Sequence, residues 1–257
     1  MPQLMRTSNP ALSGDAYRNA GVSTLGEGMT ISGAVNKTGI LLLLCVASAA
    51  WVWNRFFAAL AAGSLEEATA SMAPLVMVGA IGGLIVAFVT IFKKEWSPIT
   101  APIYALLEGL VLGGVSAMFE TRFHGLAIQA VSLTFGTLVV MLLAYRSGLI
   151  KVTDKLRLGI VAATGGIMVF YLIEFVLGFF GFRFAAVNGS GTIGIVFSLV
   201  VVGVAALNLV LDFDLIENGA RWNAPKYMEW YSGFALLVTL VWLYLEMLRL
   251  LAKFRER

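Results

Sequence analysis

Residues 241–251 read VWLYLEMLRLL, an apolar run that carries one carboxylate, Glu246. Such a run suits hydrocarbon, yet an ionised carboxylate there costs several kcal/mol or more. A residue of this kind faces a protein interior, finds a partner, or stays protonated. The surroundings of Glu246 therefore decide what fold can hold it.

Composition sets the class. Hydrophobic residues are 59% of the 257, charged residues 13%, and the mean hydropathy is +0.87, whereas a soluble domain has roughly a quarter of its residues charged. The chain reads as an integral membrane protein, expected in the cell membrane with lipid as its first partner. The formal net charge of +3, from 18 Lys and Arg against 15 acids, is the modest excess that cytoplasmic loops supply. It gives no case for nucleic acid. The one cysteine, Cys45, excludes an internal disulfide and a cysteine metal site, and the one histidine, His124 in ETRFHG, argues against a metal centre. No cofactor is expected.

The first 37 residues, including NPALSGDAYRNAGVSTLGEGM, lack an apolar core and read as a flexible polar tail rather than a cleaved signal. Residues 38–257 read as one transmembrane domain. Seven apolar runs follow, at about 38–60, 72–92, 98–119, 126–145, 158–181, 192–217 and 230–251. Each is long enough to cross a core of about 30 Å at 1.5 Å per residue. Lipid offers backbone amides no partner and barrel-like alternation is absent, so the runs are helices and the fold is all-α.

Basic residues orient the spans. With a cytoplasmic N-terminus, eleven (Arg6, Arg18, Lys37, Lys93, Lys94, Arg146, Lys151, Lys155, Arg157, Arg221 and Lys226) fall on the cytoplasmic side, against Arg55, Arg122 and Arg183 opposite. The C-terminal AKFRER disagrees, because seven crossings put its charges outside; the earlier loops are taken to decide. The GxxxG pairs Gly79/Gly83 and Gly109/Gly113 read as close helix packing. LIKVTDKLR reads as a short amphipathic connector and FRFAAVNGSG as a turn-forming loop.

Five acids interrupt the spans: Glu108, Glu174, Asp212, Asp214 and Glu246. No lysine lies within the runs, which removes a retinal-type Schiff base. Acids without internal bases stay protonated, share a proton, or hold a cation. With a cytoplasmic start, Asp212 lies about 8 Å inside its span, Glu108 about 15 Å, and Glu174 and Glu246 about 24 Å, at 1.5 Å per residue. Such a ladder of carboxylates offers oxygen ligands to a hard cation. An enzyme is not expected. Asp212 and Asp214 point about 200° apart on a helix and form no protease dyad, and no nucleophile–base pair, phosphate loop or ligand cluster appears.

The segments LDFDLIENG and LYLEMLRLL, with MTISGAVNKTGILLLL and EWYSGFALLVTLVWLYLE, resemble the Bax inhibitor-1 family, also called the transmembrane Bax inhibitor motif or YccA-like family, in its bacterial branch. The resemblance covers about Met29 to Leu251. It implies six helices around a central last helix, and a pH-sensitive calcium leak governed by two carboxylates. These correspond to Asp212 and Glu246, where a cation would be held transiently. Asp214, Glu108 and Glu174 would flank the route.

Two features depart from the family pattern. Glu246 stands where the family has aspartate, and GARWNAPKYMEWY lengthens the stretch before it. The estimated depths separate Asp212 and Glu246 by about 16 Å. Pairing then requires the extra residues to lie below the membrane surface. Otherwise Asp212 meets Asp214, Glu229, Lys93 or Lys94, and Glu246 lies near Glu174. The resemblance also leaves a second function open, a non-transporting regulator that binds a membrane protease through its tail; deletion of residues 1–30 would separate the two.

Overall fold

The computed structural model describes residues 28–182 and 184–257. The expected tail, through residue 27, lies outside the described residues, as do Arg6, Arg18 and Arg183 of the orientation argument. Among the described residues seven helices are long and apolar enough to cross a membrane: α1 Ile31–Ala62, α2 Leu65–Phe92, α3 Ser97–Arg122, α4 Leu126–Arg146, α5 Asp154–Gly178, α6 Thr192–Arg221 and α7 Met228–Arg255. The seven apolar runs are all present as helices, and the fold is all-α.

Local chemistry sets ends that hydropathy alone misplaces. The first span starts at Ile31, inside the stretch read as tail, because the Thr30 side chain accepts from Gly33 N at 3.0 Å and caps the helix. Ser64 and Glu67 form a capping box for α2. The Glu120 carboxylate accepts from Gly125 N at 2.5 Å and Ala127 N at 3.1 Å, satisfying the free amides that open α4. In LIKVTDKLR residues 149–153 are irregular, and Thr153 then caps α5, accepting from Leu156 N at 3.2 Å. FRFAAVNGSG contains a one-turn helix, Ala185–Asn188. At the other end of the chain α7 runs through Arg255, one turn past the apolar run.

The helices gather into two units. In the first, residues 28–127 and 216–238, backbones meet at glycines. A Cβ at Gly79 would lie 2.6 Å from Leu107 O, one at Gly113 2.5 Å from Ala49 O, and one at Gly109 would strike Cys45 O. The expectation of close packing holds at these three. Gly83 has ordinary room. Val52, Phe56, Ala68, Met72 and Ala117 form a core between α1, α2 and α3, and Tyr104 packs edge-on against Phe234 at 4.9 Å. The 222–227 turn is strapped to the start of α1, with Met29 N donating to Ala224 O at 2.6 Å. GARWNAPKYMEWY thus becomes the last turn of α6, this strap and a buried first turn of α7, where Met228, Glu229, Tyr231 and Ser232 are all inside.

The second unit comprises residues 128–215 and 239–257 of those described. It contains α4, α5 and most of α6 and α7. Burial differs sharply among its helices: 72% of the apolar window of α7 is inside the protein, against 11% for α5. The last helix is the most enclosed of the seven spans. The outward faces of α5, with Met168, Leu172 and Phe175 exposed, are the apolar surface that lipid requires.

Candidate functional site

One stripe of α7 carries Glu246, Arg249 and Lys253, at spacings of i, i+3 and i+7 that share a helix face. In the second unit this stripe meets α5. Glu246 is 2% exposed, and its Oε1 accepts from Tyr171 Oη at 3.1 Å and from Arg249 Nη1 at 2.9 Å. The same Nη1 donates to Tyr171 Oη at 2.7 Å, and the guanidinium lies 5.1 Å from the tyrosine ring centre. The three groups close a triangle. Glu246 Oε2 is buried and has no hydrogen-bond partner among the described residues. The carboxylate in an apolar run is therefore sheltered by protein and paired with a base of its own helix.

Asp212 on α6 is 0% exposed. One turn earlier Asn208, also buried, donates from Nδ2 to Thr164 Oγ1 at 2.8 Å and to Val204 O at 2.9 Å. The buried polar residues of α6 thus continue onto α5. Asp214 accepts from Arg157 Nη2 at 2.7 Å and from Tyr145 Oη at 3.5 Å, joining α6 to the start of α5 and the end of α4. Glu174, one turn beyond Tyr171 on α5, accepts from the Asn188 side chain. These four acids belong to the second unit. Glu108 belongs to the first, half-buried on α3, where a Cβ at Gly83 would come 3.5 Å from its Oε2.

The hydrogen bonds of Glu246 go to Tyr171 and Arg249, and Asp212 is not among their donors. Two of the residues weighed as partners for Asp212 have other engagements. Asp214 holds Arg157, and Glu229 clasps the start of α1: its Oε1 accepts from Thr30 N and Thr30 Oγ1, both at 3.0 Å, and lies 3.2 Å from Lys226 Nζ.

The premise of acids without internal bases fails at two positions. Arg249 and Arg157 are those bases, and lysines do lie within the helices, Lys37 in α1, Lys155 in α5 and the buried Lys253 in α7. Reading the last span to residue 251 treats Arg249 and Lys253 as terminal charges. The signal that could have found them is their spacing from Glu246. Tyr171 carried no signal beyond its place one turn before Glu174. Among the described residues no three His, Cys, Asp or Glu side chains gather as metal ligands.

Seven apolar spans, the last of them largely buried and carrying a charged stripe, define a polytopic α-helical membrane protein. The family model described as Bax inhibitor 1 like matches residues 9–256, and the chain belongs to that family. No curated protein and no solved structure matches it.

Proposed function

We propose that the protein is a pH-sensitive cation leak of the cell membrane, with calcium the cation and Asp212 and Glu246 the carboxylates that couple proton occupancy to passage. The observation that carries this reading is the burial of both acids in one unit, Asp212 at 0% and Glu246 at 2% exposed, within a run of polar groups on α5, α6 and α7. Buried carboxylates attract a cation when ionised and lose that attraction when protonated. Around Glu246 the groups that respond are Tyr171 and Glu174 on α5 and Arg249 and Lys253 on α7. Without the charge on Glu246, the Arg249 guanidinium would face a neutral acid and be held less firmly. Glu174 and Asp214 flank the route, and Glu108 is a further candidate acid, on α3. No chemical step is involved.

The test is flux into vesicles loaded with a calcium dye, across a pH series. Wild type is expected to leak, and Asp212→Asn and Glu246→Gln each to lower the flux and flatten its pH response. Flux that is absent, or indifferent to both substitutions and to pH, rejects the reading. In that case loss of partner binding on deletion of residues 1–30 would support the regulator instead. We also propose a cytoplasmic N-terminus, supported by the distribution of basic residues among the loops.

A further inference from the structure

The C-terminal end of α7 buries an ammonium group in a cage of neutral oxygens. Lys253 is 4% exposed, and its Nζ donates to Val187 O at 2.7 Å, Gly194 O at 3.1 Å and Ser198 Oγ at 2.9 Å. None of the three is a carboxylate. The cage is shaped by backbone: a Cβ at Gly194 would lie 2.9 Å from Val187 O and would strike Gly189 O, so the first turn of α6 can sit on the Ala185–Asn188 turn only with glycine there. Ser198, which supplies the hydroxyl, is 0% exposed.

Those distances and donors favour one class of ion. Calcium takes oxygens at about 2.3–2.6 Å and draws carboxylates, and magnesium is tighter still. Neutral carbonyl oxygens at longer range are how proteins replace the hydration shell of potassium. An ammonium presents a similar single charge. We propose that Val187 O, Gly194 O and Ser198 Oγ form a monovalent-cation site that the chain fills with its own tethered ammonium, and that Lys253 thereby closes the Glu246 end of the route. The closing role rests on the cation-leak reading, whereas the binding site does not. Two turns separate Lys253 from Glu246 on the same stripe, with Arg249 between them. Withdrawal of the lysine would expose oxygen ligands in place of a positive barrier.

The test uses full-length purified protein. Lys253→Ala vacates the cage and Lys253→Met fills it with an uncharged chain of similar length. Potassium or sodium, titrated against choline at constant ionic strength, should raise the Tm of K253A saturably by about 2–4 °C, because a ligand that binds only the folded state stabilises it. Wild type and K253M should show no such difference between the salts. In vesicles, potassium efflux through K253A should exceed wild type by about tenfold, the scale on which local charge controls ion access. A K253A protein whose Tm is the same in potassium, sodium and choline overturns the site. Should K253A fail to fold in choline, the proposal requires potassium or sodium to restore it, and failure in every salt overturns it too. Calcium leak absent from wild type would remove the leak reading while leaving the ion-dependent Tm to stand or fall alone.

Discussion

The two units hold their helices together by different chemistry. In the first, Gly79, Gly109 and Gly113 bring backbones against the carbonyls of Leu107, Cys45 and Ala49. In the second, helices are tied by charge and hydrogen bonds, Tyr171 with Glu246 and Arg249, Arg157 with Asp214, and Lys253 with its oxygen cage. Lipid supplies no hydrophobic drive for apolar helices to associate, so close backbone approach and polar bonds are the two means left. The first is indifferent to protons and ions. The second changes with them, so the helices tied by these groups can respond to pH through those contacts.

The largest expected effect comes from stranding Glu246, the most enclosed carboxylate among the ion pairs of the second unit. Arg249→Gln leaves the Glu246 carboxylate without its base, and because Arg249 is itself 44% exposed the cost belongs at the low end for broken buried pairs, about 3 kcal/mol. The double variant R249Q/E246Q should cost less than R249Q alone, since no charge is then stranded. A thermal-unfolding cycle in detergent checks this, and additive costs would show that the two side chains are energetically independent.

The corresponding change in the first unit is steric. Gly109→Val places methyl groups against the Cys45 carbonyl, and overpacking of this kind costs about 1–3 kcal/mol. Its loss of stability should be the same at every pH and salt concentration, whereas that of R249Q should vary with both. A G109V protein as stable as wild type would mean that α1 and α3 can part without penalty.

Much of the fold was legible because membrane spans announce themselves by length and apolarity, as MAPLVMVGAIGGLIVAFVTIF does for α2. The ends were not. Thr30 starts α1 ahead of its apolar run, and the last turn of α7 is charged yet buried, so hydropathy stops short of Lys253. Of the site, the acids could be picked out one by one, but their partners could not. Arg157 precedes Asp214 by 57 positions, Tyr171 precedes Glu246 by 75, and Val187 precedes Lys253 by 66. Only the fold brings them together. Glu229 illustrates the converse: a candidate partner for Asp212 by sequence, it clasps Thr30, because α7 begins two residues ahead of the apolar run.

That clasp makes a prediction of intermediate size in the first unit. Thr30→Ala removes both the cap on Gly33 N and a hydroxyl donor to Glu229, a loss of about 1 kcal/mol. Hydrogen exchange should quicken at residues 31–33 alone, and Thr30→Ser should restore it. Exchange unchanged in T30A would mean that another group starts the helix.

The smallest effect tests whether enclosure of the carboxylate, rather than charge itself, sets the cost of breaking a pair, since Asp214 is 18% exposed where Glu246 is 3%. Arg157 and Asp214 approach to 2.7 Å and tie α5 to α6, but both side chains keep some contact with solvent, at 13% and 18% exposed. Water competes for each charge there, and the pair joins residues near the end of α6 and the start of α5, where salt can screen it. Asp214→Asn should therefore cost about 0.2–1 kcal/mol at low ionic strength, and high salt should erase most of the difference. The same salt should leave the penalty of R249Q largely in place, because the carboxylate it strands is enclosed. If both penalties fell together with salt, water would have to reach Glu246 as freely as Asp214, and the sheltered carboxylate on which the proton-coupled reading depends would not exist.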